Sequence, residues 1–161
     1  MNSYRTTEIA IADSLKSYLS TESRPCEVVR QNQIAEIPSY PYVSYTVTTP
    51  VAEHRGTYSE AEDGTLYRSI LQTWSFTVQS DNLEEAMELG MKMVNFFKVV
   101  GLTLLADKDI TVRRVTNLTA RDNLLSIQYE HRNGLDVTFG LFYSVSPSDQ
   151  PWRDEIETLE L

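Results

Sequence analysis

The sequence predicts an α+β fold, with one mostly antiparallel, mixed sheet and two helices packed on one of its faces. Three observations carry this. Apolar and polar residues alternate with period two around 42–49, 69–78 and 125–143, the pattern of strands with one buried face. Two other stretches, 6–20 and 82–100, space their apolar residues three and four apart, as amphipathic helices do. The order is helix, two strands, long loop, strand, helix, then three strands. It packs economically as helices over a single sheet.

Thr6 to Ser20 forms the first helical stretch, with Ile11, Leu15 and Tyr18 on one stripe, joined by Ala12 and Leu19. Pro25 stops it, and Cys26 to Arg30 is a short strand. Pro38 and Pro41 then hold the chain extended and remove two amide donors, so Ile37–Tyr42 is not a central strand. Tyr42 to Thr49 follows as a half-buried strand, with Val43, Tyr45 and Val47 on one side. Residues 50–66 have no periodicity and read as the long tip of a hairpin. The returning strand places Ile70, Trp74, Phe76 and Val78 on a shared face. Asp81 is the expected N-cap of the second helix, with Glu84 completing a capping box. Leu83, Met87, Met91 (or Gly90), Val94 and Phe97 are its expected inner stripe, widened by Ala86, Met93 and Val100. Gly101 is the expected residue just past its end. A less tidy strand spans Ile110 to Leu118.

The last strands centre on Asn133-Gly134, a strong hairpin signal. A two-residue turn there would put the apolar sets of the two strands on opposite faces. The expectation is therefore a three-residue loop, Arg132-Asn133-Gly134, with Gly134 left-handed in a bulge. That pairs Tyr129 with Val137 and Ile127 with Phe139 on an inner face under the second helix. Residues 1–146 then form one α+β domain, and 147–161 are a tail or a short docking segment.

The chain has 161 residues, enough for a sizeable core. Its 14 basic and 23 acidic residues leave a net charge of −9, which opposes a nucleic-acid-binding face or an anionic membrane surface. It is compatible with DNA passing by without specific binding. A lone cysteine, Cys26, allows no intrachain disulfide and no thiolate metal cluster. No apolar run approaches the roughly 18 residues of a membrane span. The N-terminus lacks the pattern of a signal peptide. A cytoplasmic protein, or one assembled in a cytoplasm, is the expectation.

No catalytic signature stands out. His54 and His131 are the only histidines, and surface positions are expected for both. A dyad with Cys26 would need spatial contact; Cys26 reads as a small buried hydrophobe. Glu60, Glu62, Asp63 and Gly64 imitate a calcium loop, but the position six beyond Gly64 is Ile70 rather than glutamate. No phosphate-binding glycine motif or serine elbow is present. No cofactor is expected. Arg113 and Arg114 should point to opposite faces, one of them at the surface and the other in an ion pair or subunit interface. What remains is interaction surface: Tyr40, Tyr42, Tyr58, Tyr67 and Trp152 stand in or beside loops.

Taken together, this layout resembles the phage tail-terminator, tail-completion and neck proteins that join a phage head to its tail. The resemblance rests on the extended Pro38-Ser39-Tyr40-Pro41-Tyr42 entry, the long loop 50–66, the Trp74 and Phe76 strand running into the Asp81 helix, and the Arg132–Phe139 stretch. It covers about residues 6 to 145. It implies a structural virion protein without catalytic residues, forming a homo-oligomeric ring, commonly of six copies, on the tail tube. The ring would dock to a head-connector or adaptor protein, and DNA would pass through its centre. The expected interface residues are His54, Arg55, Tyr58, Glu60, Glu62, Asp63, Arg113, Arg132, Trp152 and Arg153. The competing expectation is a small α+β ligand-binding domain or enzyme, which would need a pocket with convergent polar groups.

Overall fold

The structure, a computed structural model, describes residues 3–32, 34–53, 58–125 and 128–150. It has the expected α+β class. Helix α1 (Tyr4–Leu19) starts earlier than its apolar stripe, because the Ser3 hydroxyl accepts the Thr6 amide at 3.2 Å. Strand β1 (Glu27–Arg30) pairs parallel with β2 (Tyr42–Glu53), and every other strand pairing is antiparallel. Strands β3 (Ser59–Glu60) and β4 (Leu66–Ser80) precede helix α2 (Leu83–Ala106). After it come β5 (Thr111–Val115), β6 (Thr119–Ala120), β7 (Asn123–Leu125) and β8 (Gln128–Val145). Across the sheet the order is β1-β2-β4-β8-β5.

Both helices pack on one face. Ile11, Leu15 and Leu19 of α1 and Leu89, Met93, Phe96 and Phe97 of α2 meet Tyr45, Trp74, Phe76, Leu135, Val137 and Phe139 in one buried cluster. Aromatic rings form its centre: Phe76 lies 4.8 Å from Phe97, and Trp74 stacks on Tyr45 at 5.3 Å. Gln72 shares this inner face, and its polar ends are satisfied. It accepts the Trp74 indole N–H at 2.6 Å and donates to the Pro50 carbonyl at 2.9 Å.

The Asn133-Gly134 turn is absent. Strand β8 runs unbroken through both residues, which pair with Val78 and Thr77 of β4. All fifteen residues of β4 find partners on β8, and that long ladder overrides the local turn signal. The chain reverses instead between Leu125 and Gln128, where β7 meets the start of β8. The predicted pairs therefore do not exist: Val137 faces Trp74, Phe139 faces Gln72, and Tyr129 faces Leu124. Tyr129 is 71 % exposed rather than inside. Ile127 lies outside the described residues.

Three further expectations change. Strand β2 extends past Thr49 to Glu53, accommodating Pro50 at an irregularity between Thr49 and Ala52. The N-cap of α2 is Asn82, whose side chain accepts the Glu85 amide at 3.1 Å. Gly101 does not end that helix. It sits inside it, where a π-helical turn spans Phe96–Val100 and the Gly101 amide donates to the Phe96 carbonyl. A Cβ there would lie 2.8 Å from the Phe96 ring and 2.9 Å from its carbonyl oxygen, so close approach explains the glycine.

With the turn of Gly101 included, α2 is 24 residues long and by length and composition apolar enough to cross a bilayer, against the sequence expectation. Its inner side is packed on the sheet. Of the predicted stripe, Ala86, Met93 and Phe97 are buried, with Gly90 in place of Met91 and with Leu89 and Phe96 added, while Leu83, Met87, Met91 and Val100 face outward.

Candidate interaction surfaces

The two helices leave the opposite sheet face open, and around Thr73, Ser75, Thr77 and Thr138 its residues are small and polar. Thr73 and Thr138 meet hydroxyl to hydroxyl at 3.0 Å across β4 and β8. Two arginines lie flat on this face over glycines. Arg121 covers Gly134 and donates to Ser75 at 2.7 Å, Thr77 at 3.2 Å and Asp136 at 3.2 Å. Arg113, the extra residue of a bulge in β5, lies across Gly140. Arg113 and Arg114 are both exposed, and among the described residues neither has an ion-pair partner, so of the two expected roles for the second arginine the ion pair is not seen within the chain.

The end of β4 and β8 that β3 joins is the arm of the sheet. There the Arg68 guanidinium lies between two rings, 5.3 Å from Tyr58 and 5.8 Å from Tyr143. Tyr58, Tyr143 and Phe142 remain about half exposed. The turn from β3 to β4 is closed by Gly64 in the left-handed region, φ 84°, and by Asp63, which accepts the Thr65 amide at 2.9 Å. That amide holds the Asp63 carboxyl below its usual range. Glu60, Glu62 and Asp63 are exposed on this tip. Four predicted interface residues, Tyr58, Glu60, Glu62 and Asp63, are thus gathered at one end. His54, Arg55, Trp152 and Arg153 lie outside the described residues. Arg68 and Tyr143 escaped the sequence reading, because only strand pairing brings them beside Tyr58.

Arg132 lies elsewhere, opposite Gln79 at the other end of the sheet. It is engaged: its Nε donates to buried Glu130, which also accepts the Tyr40 hydroxyl. That hydrogen bond to a carboxylate pushes the Tyr40 hydroxyl up to about 12. Beside it residues 31, 32 and 35–38 and the sheet line a cleft of about 310 Å³, with Arg30, Tyr42, Ser44, Gln79 and Arg132 among its walls. Its second arginine is also engaged, since Arg30 donates to both oxygens of Glu8, at 2.7 and 2.5 Å. The cleft's cations are matched within the chain, so its polar groups do not converge on an absent anion.

Cys26 is fully buried, and desolvation pushes its thiol up to about 11, away from the thiolate a nucleophile needs. Among the described residues no group of three or more His, Cys, Asp or Glu side chains could hold a metal ion.

The surfaces on offer are therefore an open hydroxyl-rich sheet face, an aromatic arm and an apolar helix side, all suited to contact with other proteins. Over residues 10–161 the chain matches the family described as phage neck terminator protein. It belongs to that family and is a structural protein of the phage neck. No curated protein matches it.

Proposed function

We propose that the protein forms a ring, with six copies, at the head–tail junction of a tailed phage. The ring caps the tail tube, presents a docking face to the head connector, and lets DNA pass through its centre. Family membership over 10–161 carries the reading. The aromatic arm supports it, because Tyr and Arg clusters are the usual anchors of protein interfaces. The net charge of −9 supports a passage that does not retain the phosphate backbone. Residues 1–146 act as the ring-forming domain, and the 50–66 region and the 147–161 tail are the contact elements. Assembly takes place in the host cytoplasm.

The test is assembly. Purified protein, alone and mixed with tail tubes, is followed by light scattering and negative-stain imaging. Rings seated on tube ends, and tubes that stop growing, are expected. Tubes that lengthen equally with and without the protein would overturn the reading. A chain lacking residues 54–63 should stay folded and lose assembly; unchanged assembly would remove the loop from the interface.

A further inference from the structure

The outer side of α2 carries an exposed apolar stripe. Leu83, Met87 and Met91 are 51, 52 and 62 % exposed, and Val99 and Leu102 continue the side at 66 and 40 %. A stripe of that length marks an interaction site. The charges along it decide the occupant. Glu85 and Glu88 lie against Arg24, and Glu88 also engages Lys92 at 3.7 Å. Two exposed charges of this helix are left without an ion-pair partner among the described residues: Glu84 in its first turn and Lys98 toward its end.

Glu84 and Lys98 stand equally far along the chain on either side of Met91, and so do Leu83 and Val99. The outer side is therefore complementary to itself turned end for end. A second α2 laid antiparallel across the first, with a two-fold axis at Met91, sets Leu83 on Val99, Met91 on Met91 and Glu84 beside Lys98, twice over. A parallel pairing in register stacks Glu84 on Glu84 and Lys98 on Lys98 instead, and aligns the two helix dipoles unfavourably.

We propose that two copies of the chain pair through the outer sides of their α2 helices, antiparallel, about a two-fold axis at Met91. Leu83, Met87, Met91 and Val99 supply the affinity by leaving water. The two Glu84–Lys98 contacts contribute little energy of their own and fix the direction of the pairing. An isologous contact closes at two copies, so the pair neither builds the proposed ring nor depends on it.

The test uses the full chain without tail tubes. Sedimentation velocity should show dimers, and a chain that stays monomeric at every concentration overturns the contact. Met91→Cys places one thiol of each copy at the axis, while the native Cys26 is buried and stays out of the oxidation. Mild oxidation should give linked dimers on a non-reducing gel; dimers in solution that do not link overturn the axis. Glu84→Lys alone and Lys98→Glu alone, each with its fold verified by circular dichroism, should weaken the pair about tenfold, because each sets like charges together at both ends. The two changes combined should restore it to within about threefold. A combined variant no tighter than the single ones overturns the antiparallel pairing. Rings on tail tubes bear on the proposed function alone, so the two readings fail separately.

Discussion

Gly101 shows how one residue type serves different ends. After an apolar run it signals a helix end, yet here it permits a π turn in which the chain passes the Phe96 carbonyl. Gly101→Ala forces a methyl group against backbone and a buried ring, and should cost about 1–3 kcal/mol. For a chain this long that is roughly 2–4 °C of Tm per kcal/mol, measurable by calorimetry. Glu8 acts at the same scale. Burial disfavours its charge, but hydrogen bonds from Arg30 and Tyr45 outweigh that and hold the carboxyl below its usual range. Its contribution to stability is therefore present above the ordinary glutamate pKa of about 4.3 and is lost as pH falls through the lower folded value. Glu8→Gln should cost about 1–3 kcal/mol at neutral pH, because it weakens the bonds joining α1 to β1 and β2. In denaturant titrations the native chain should lose stability below about pH 4. The chain carrying Glu8→Gln should show a flatter profile there; parallel profiles would refute the assignment.

At the scale of elements, the arm is proposed as an interface element because its aromatic side chains Tyr58, Phe142 and Tyr143 are only half buried. Replacing Tyr58 and Tyr143 together by alanine should leave the melting temperature within a few degrees and weaken binding to tail tubes about tenfold, seen in co-sedimentation. A chain that binds tubes as before would exclude the arm from the contact. By contrast Trp74→Phe strikes inside the sheet. It leaves the Gln72 carbonyl oxygen without its donor, at a cost of about 1–3 kcal/mol. Strands β2 and β4 were legible from alternation alone, since one face is buried and the other open along most of their length. The last hairpin was not. Its parity conflict was real, but the two halves of the pattern are not partners, and β4 supplies the partner strand in full.

At the scale of the whole molecule, net charge and apolar surface oppose each other. In the proposed ring, copies carrying −9 would repel, so their association would come from apolar and aromatic contacts. Self-association should strengthen as salt rises from about 10 mM toward 150 mM, where the Debye length shortens to about 8 Å. Sedimentation at several salt concentrations reads this directly, and association that weakens with salt would mean the contacts are ion pairs instead. The candidate surface was legible in part: the sequence located the 58–63 tip, while Arg68 and Tyr143 became part of it only through strand pairing.

By itself the sequence determined the α+β class, the two helical stretches, the strands around Tyr45, Trp74 and Phe139, the burial of Cys26 and the absence of a catalytic motif. These follow from the spacing of residues along the chain. Only the tertiary structure decided where the chain turns near Gly134 and which side of α2 meets the sheet. A turn signal competes with the strand available to pair with it, and here fifteen residues of β4 outweigh two. Between Leu89 and Gly101 only Lys92, Asn95 and Lys98 mark a polar side of α2, and the apolar remainder is too broad for spacing to fix one inward stripe. The orientation of the helix is set by the rings it packs on, Phe76 and Phe139 against Phe97.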